Sequence, residues 1–405
     1  MKFVFRIFIL IIFAAMLIGC GGEAEAPASQ PSTSAPETIE ISVNEETTAE
    51  APALEIPVTS TLPEKSQEEL ILESMTLEEK VGQMFIARCP SGDPIDKIET
   101  YMPGGYILFA GNFKEKTPES ATDMIQSFQQ AAKIPMLIGV DEEGGTVCRV
   151  SLYSAFRAHK FKSPQTLYRE GGLDLIMSDT HEKSEFLLKL GINVNFAPVA
   201  DVSTNSDDYI NARAFGKNGQ ETADFVRTVV ETMDNSGIGS VMKHFPGYGS
   251  NADTHEEMTH DKRSLDSFKN NDFLPFSAGI GAGGDCILVS HNVVECMDAD
   301  NPASLSPVVH KLLREDLGFD GVIMTDDLYM KAIREFTGVD KAAITAVKAG
   351  NDMLCCTDFE VQIPAVIAAV KSGEIEESLI NEAVLRVLKW KIELGLIETQ
   401  SNEEG

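Results

Sequence analysis

Five times along this chain an apolar run stops at side chains that carry charge, protons or a nucleophile. Leu137-Ile138-Gly139-Val140 ends at Asp141, Pro198-Val199-Ala200 at Asp201, and Ser240-Val241-Met242 at Lys243-His244. Ile287-Leu288-Val289 ends at Ser290-His291-Asn292, and Val322-Ile323-Met324 at Thr325-Asp326-Asp327. Carboxylates and imidazoles gathered this way suit general acid–base and nucleophilic work. A carboxylate such as Asp326, held at a pocket floor, can attack an anomeric carbon and divide glycoside cleavage into two easier displacements. Asp326 or Asp327 equally suits the cap of the following helix, a common fate of Asp where a strand gives way to a helix.

The longest constellation follows Lys243-His244. Phe245-Pro246-Gly247-Tyr248-Gly249-Ser250 reads as a loop, and Asp253 and His255 come just beyond it. Two residues apart in extended chain, their side chains can share a face, so the carboxylate can orient and charge-tune the imidazole for proton transfer near neutral pH. A metal site built from His244, Asp253, His255, His260 and His291 is the competing reading, although no H-E-x-x-H pair supports it, and no metal is expected. A third segment, Asp141-Glu142-Glu143-Gly144-Gly145-Thr146-Val147-Cys148-Arg149, pairs acids with glycines. There Asp141 can accept hydrogen bonds from sugar hydroxyls, while Arg149 can reach a substrate oxygen or clamp a neighbouring carboxylate.

Eight short apolar runs bear these groups: Met84–Ala87, Tyr106–Ala110, Met136–Asp141, Asn193–Asp201, Gly239–His244, Cys286–Asn292, Gly321–Asp327 and Asp352–Cys356. Helical patterns alternate with them, at Ser120–Ala132, Ser178–Leu190, Glu221–Ser236, Ser306–Leu317 and Asp340–Ala349, with Ser306-Pro307 reading as a helix start. Continuous apolar strands between helices belong to a parallel sheet covered on both faces. Eight of them predict a (β/α)8 TIM-like barrel, whose strand ends converge on one face, and the missing G-x-G-x-x-G argues against a dinucleotide fold.

The N-terminus reads differently. Lys2 and Arg6 precede an apolar run that closes on Leu17-Ile18-Gly19-Cys20, which resembles a bacterial lipoprotein signal cut before Cys20, the lipid-attachment residue. An uncleaved membrane anchor is the alternative. Residues 21–65 mix Pro27, Pro31, Pro36, Pro52, Pro57 and Pro63 with Ser, Thr and Glu, the composition of a disordered acidic tether. The expected organisation is a signal peptide over 1–20, this tether, and a barrel over 66–400, on the outer side of a bacterial cell membrane. With 33 Lys+Arg against 63 Asp+Glu, and a net charge of −30, nucleic-acid binding is excluded as a role. The six cysteines after Cys20 are expected in the core, not in disulfides or metal sites.

These motifs together resemble glycoside hydrolase family 3, in its β-N-acetylglucosaminidase branch. The resemblance runs, in the family's order, through Met75-Thr76-Leu77-Glu78-Glu79-Lys80-Val81-Gly82-Gln83-Met84, Asp141-Glu142-Glu143-Gly144-Gly145, Lys243-His244-Phe245-Pro246-Gly247 and Asp253-Thr254-His255. It ends with Gly318-Phe319-Asp320-Gly321-Val322-Ile323-Met324-Thr325-Asp326-Asp327-Leu328. It implies retention of configuration through a covalent glycosyl-enzyme, with Asp326 as nucleophile and His255, partnered by Asp253, as acid/base in place of a second carboxylate. It further implies that Asp141, Arg149, Arg213, Lys243 and His244 bind the sugar, that the substrate is a carbohydrate, and that no cofactor takes part. Glu142, Thr146 and Tyr248 depart from the commoner Gln, Arg and His of the family, which bears on aglycone preference. A β-glucosidase, a phosphorolytic relative and a sugar-binding lipoprotein without turnover are the other readings.

Overall fold

The structure, a computed structural model, describes residues 65–251 and 258–398. The signal sequence, Cys20, nearly all of the tether, and both Asp253 and His255 therefore lie outside the described residues. Ten strands occur in chain order: β1 (Phe85–Arg88), β2 (Gly105–Leu108), β3 (Leu137–Val140), β4 (Val194–Asn195), β5 (Gly239–Phe245), β6 (His260–Asp261), β7 (Cys286–Val289), β8 (Val293–Val294), β9 (Val322–Thr325) and β10 (Leu354–Cys356). Eight of them pair in parallel in the order β10-β1-β2-β3-β4-β5-β7-β9, while β6 and β8 form a separate two-stranded ladder. Thr325 N donates to Met353 O at 3.1 Å and Asp352 N to Ile323 O at 2.8 Å, which brings β9 against the β10 segment and closes the ring. The expected (β/α)8 barrel is present, with one β-run in each of the eight predicted places.

Alternation along the strands sorts the two faces. Ile86, Ile107, Leu137, Val194, Val241, Leu288, Met324 and Cys355 pack together, and Val387 and Trp390 of the last helix, Glu377–Glu393, join that cluster. Their neighbours Phe85, Tyr106, Ile138, Met242, Ile287, Ile323 and Leu354 join a second cluster with the helices. One such helix, Pro118–Ala131, illustrates why the intervening segments coil. Thr117 accepts from Ser120 N, Pro118 occupies the first turn, and Ala121, Ile125 and Phe128 form one buried stripe. Burying Ile125 and Phe128 contributes roughly 1.5–3 kcal/mol each.

Boundaries differ from the expectation where local chemistry intervenes. The Asn193–Asp201 run pairs as a strand only over Val194–Asn195, because Pro198 has no N–H for a ladder, and Ala200 N then rejoins β5 at Lys243 O (2.6 Å). The helix expected over Ser178–Leu190 is the second half of Pro164–Leu188, which is broken at Gly171-Gly172. Ser306 does cap its helix, accepting from Val309 N, but the segment relaxes into a wider π-type turn over Leu312–Asp316. Cys89, Cys148, Cys286 and Cys355 are buried as expected, whereas Cys296 is exposed just after β8 and is not a core residue.

Candidate active site

The C-terminal ends of β3, β5 and β9 open onto one cavity of about 1010 Å³, lined by Asp141, Arg149, Arg213, Lys243, His244 and Asp326 among others. Every site residue expected from the sequence that the structure describes, apart from Cys20 and the loop pair outside it, faces this one space.

The first wall is the turn after β3. Gly144 has φ +97°, and a Cβ there would stand 2.3 Å from Lys162 O, so only glycine lets the turn close against that segment. Glu142 is buried beneath the turn and accepts from Arg149 N (2.9 Å), Val150 N (2.8 Å), Ser151 N (3.3 Å) and the Ser151 hydroxyl. It therefore shapes the loop and does not line the cavity, although the sequence set it beside the expected binding residues. Held this way, Arg149 reaches Asp141, with Nη2 3.3 Å from Oδ2.

Lys243 on β5 supplies the next step. Its Nζ lies 2.7 Å from Asp141 Oδ1 and 2.6 Å from Glu143 Oε1, in a setting where the lysine is 2% exposed. Arg213 grips the same Glu143 with two prongs, Nε to Oε2 at 3.0 Å and Nη2 to Oε1 at 2.7 Å. Burial opposes ionisation of Glu143, but the Lys243 and Arg213 charges outweigh it and hold its carboxyl well below the usual carboxylate range. Burial likewise works against the Arg213 charge, and Glu143 overrides it, so Arg213 stays cationic.

Arg213 Nη2 is also 3.2 Å from His244 Nε2. A guanidinium only donates, so Nε2 accepts, and the ring proton sits on Nδ1, which donates to Asp201 Oδ2 at 2.7 Å. Asp201 further accepts from His244 N (3.1 Å) and Tyr248 N (2.7 Å), while the Tyr248 ring meets the His244 ring edge to face at 5.1 Å. The result is a ladder, Arg149–Asp141–Lys243–Glu143–Arg213–His244–Asp201, in which three cations balance three carboxylates. Such a wall offers donors and acceptors at fixed spacing for several hydroxyl or amide groups, as a sugar requires.

Asp326 stands outside the ladder, at the end of β9. The two aspartates of Thr325-Asp326-Asp327 take different tasks. Asp327 Oδ1 accepts from Tyr329 N (2.9 Å) and Thr357 N (3.1 Å), and its Oδ2 accepts from Thr357 Oγ1 (2.6 Å), so Asp327 ties the turn to the end of β10. Burial, reinforced by the neighbouring Asp326 charge, pushes the Asp327 carboxyl up. Asp327 N in turn donates to Asp326 Oδ1 at 2.8 Å, fixing the Asp326 carboxylate at the cavity.

Of the residues in the metal reading, the described ones, His244, His260 and His291, have separate partners. His291 is buried, with Nδ1 on Ser304 Oγ (2.7 Å) and Nε2 on Asp327 O (3.1 Å), which supports the β9 turn from behind. His260 is half exposed beside Glu295, and among the described residues no group of His, Cys, Asp and Glu is arranged to hold a metal ion. Sequence reasoning assigned no role to Glu143 or Asp201. The signals were present, Glu143 two places after Asp141 and Asp201 at a strand end, but only the fold brings them to Lys243, Arg213 and His244.

A parallel barrel whose strand ends gather a carboxylate, Asp326, and a balanced ladder of charge around an open pocket has the architecture of a barrel glycoside hydrolase. The model of the glycosyl hydrolase family 3 N-terminal domain matches residues 76–390, and the chain belongs to that family. A curated β-hexosaminidase of Xylella fastidiosa (strain M23) is 31% identical over 306 residues, which is 74% of this chain and 90% of that protein. One from Xanthomonas campestris pv. campestris (strain B100) is 33% identical over 253 residues, 62% of this chain and 76% of its own. Among solved structures, a family 3 β-N-acetylglucosaminidase from Paenibacillus sp. str. FPU-7 superposes with a TM-score of 0.74 at 30% identity, over 81% of this chain and 65% of that one. The chain thus spans about two thirds of the Paenibacillus enzyme.

Proposed function

We propose that this protein is a retaining exo-glycosidase that releases terminal β-linked N-acetylhexosamine, foremost N-acetylglucosamine, from short glycans or cell-wall fragments. The observation that carries the reading is the shared cavity, with Asp326 on one side and the Asp141–Lys243–Arg213–His244 ladder on the other. The names of the Xylella, Xanthomonas and Paenibacillus relatives support the choice of sugar.

Asp326 attacks C1, the glycosidic C–O bond breaks, and an ester joins the sugar to the carboxylate. His255, oriented by Asp253, gives its proton to the departing oxygen. Water then attacks C1, His255 takes the proton from that water, and the ester bond breaks to free Asp326. The ladder holds the sugar through both steps. The flanks of the segment bearing Asp253 and His255 are tied to the barrel mouth, through Tyr248 N on Asp201 (2.7 Å) and Asn251 Nδ2 on Asp261 Oδ2 (2.6 Å).

A 5-fluoro-N-acetylglucosaminyl fluoride tests the reading directly. Intact mass should rise by one glycosyl unit, and peptide mapping should place the adduct on Asp326, with none formed by Asp326→Ala. An adduct on another residue, or undiminished turnover by Asp326→Ala, removes the assignment. We further infer that lipid on Cys20 holds the enzyme on the outer side of a cell membrane. Labelling of bacteria with alkyne-palmitate should mark the chain, and Cys20→Ser should lose the label.

A further inference from the structure

Resting on the proposed binding of an N-acetylhexosamine at the charge ladder, we propose that Lys183, on a helix outside the barrel, is a positioning residue for that ladder. It holds the main chain of Glu143 and thereby sets how tightly the sugar binds. Lys183 lies in the second half of Pro164–Leu188, where the buried stripe reads Ile176, Thr180, Lys183, Ser184 and Leu187. A lysine within such a stripe gives up hydration that an apolar residue would not miss, so its burial is tolerated only where the ammonium gains partners. Here it is 8% exposed and turned toward the segment after β3.

Its ammonium meets a carbonyl, a carboxylate and a ring. Nζ donates to Glu143 O at 3.4 Å, lies 3.2 Å from Asp179 Oδ2 one helical turn back, and stands 5.1 Å from the centre of the Phe161 ring. Asp179 Oδ2 is buried and accepts no hydrogen bond among the described residues, so Asp179 supplies charge while the directed contact goes to Glu143. Among the described residues Lys183 is the only donor at that carbonyl, whereas the Glu143 N–H is used inside its own turn, on Val147 O at 3.0 Å. Phe161 belongs to the other flank of the same turn, since its carbonyl accepts from Gly145 N at 2.9 Å. Lys183 therefore clasps the turn from both flanks.

Glu143 is where such a hold reaches the substrate. Its carboxylate takes Lys243 at 2.6 Å and Arg213 at 2.7 and 3.0 Å, and both cations line the sugar cavity. A second cavity, of about 30 Å³, is lined by Glu143, Arg213, Asp179 and Lys183, with Asn195 and Ser184. The helix pair and the ladder pair thus share one gap, with room for little more than water. Asn195 brackets the preceding residue there, its Oδ1 accepting from Glu142 N (3.0 Å) and its Nδ2 donating to Glu142 O (3.2 Å). Glu142 is held by β4 and Glu143 by the helix. A small displacement of Glu143 would weaken both of its ion pairs, because charge-assisted hydrogen bonds depend steeply on distance and angle. The ladder grips the sugar before and after reaction alike, so loosening it weakens binding and leaves the chemical step at Asp326 unchanged.

The wild type, K183M, K183R and K183M combined with D179N decide the matter, assayed on 4-nitrophenyl N-acetyl-β-glucosaminide and titrated calorimetrically with N-acetylglucosamine. Met keeps the buried stem and removes the donor, and the added D179N spares the fold a stranded carboxylate. In the double variant KM and the Kd for N-acetylglucosamine should each rise about tenfold, the loss expected of a hydrogen bond to a charged group, while kcat stays within about twofold. K183M alone should bind as weakly and melt earlier, and K183R, which keeps charge and donors, should recover most of the loss. A role confined to stability would lower the Tm of these variants and leave the Kd of the folded protein where it was, and that result overturns the inference. A fall in kcat at unchanged KM overturns it as well. If the wild type cleaves the glycoside and the variants bind the sugar as it does, the proposed function stands and only this inference falls. If the wild type neither cleaves the glycoside nor binds N-acetylglucosamine, both fall.

Discussion

Glu143 is the ladder carboxylate that accepts from both Lys243 and Arg213, and it is only 6% exposed. Replacing it with Gln leaves two buried cations short of an anion, an arrangement that costs roughly 3–5 kcal/mol where measured in other proteins. Glu143→Gln should therefore lower the Tm and reduce kcat/KM by more than tenfold. The pH dependence has a definite sign. In the unfolded chain the group titrates near 4.5, while in the folded protein burial is overridden by Lys243 and Arg213 and the carboxyl stays ionised to much lower pH. Its stabilisation is complete above about 4.5 and is lost as pH falls through the lower folded value. Urea midpoints should thus drop on acidification below about 4.5 more steeply in the wild type than in Glu143→Gln.

At the scale of elements, the connection after β5 depends on Arg263. Its guanidinium meets Asp261 Oδ2 (2.7 Å), Asp272 Oδ1 (2.8 Å) and Gly247 O (2.9 Å), so it ties the start of that connection to its end at β6 and to the following helix. Gly247 has φ +119°, and a Cβ there would stand 2.6 Å from Asp272 Oδ1, so the chain passes this point only as glycine. Asp261 and Asp272 are both buried, and burial pushes the Asp272 carboxyl up against the pull of Arg263. Arg263→Ala strands both carboxylates and should cost roughly 3–5 kcal/mol, read by chemical denaturation. Because the connection carries Asp253 and His255, kcat should fall as well, and Arg263→Lys, which keeps the charge without the fork, should recover only part of either loss.

For the molecule as a whole, the closed ring puts chemistry at one end and a hydrophobic cluster with Val387 and Trp390 within. Beside Trp390, Lys391 is fully buried, and its Nζ donates to Gln83 Oε1 at 2.6 Å with no carboxylate near it among the described residues. Burial alone pushes its ammonium down to about 7 from the ordinary 10.5. Between those values the unfolded chain holds a proton that the folded chain has released, so stability rises with pH by up to about 1.4 kcal/mol per unit. Lys391→Met should abolish that rise, and denaturation midpoints measured from pH 7 to 9.5 in both proteins check it. A slope shared by the two proteins would assign the dependence elsewhere.

The strands and their polar ends were legible from the chain because both are local. Four to seven apolar residues must bury themselves on two faces, and a charged residue must stop such a run, so the barrel and the mouth residues Asp141, Lys243, His244 and Asp326 could be read in order. Contacts between distant residues were not legible, because no spacing rule relates Glu143 to Arg213, Asp201 to His244 or Lys183 to Glu143. Nor does local pattern divide the labour of Asp326 and Asp327: both suit a helix cap and both line the cavity, and it is Thr357, brought alongside by closure of the ring, that engages the Asp327 carboxylate. Local pattern decides which residues end strands, whereas the charge each one carries and the partner it meets depend on burial beside groups far away in the chain.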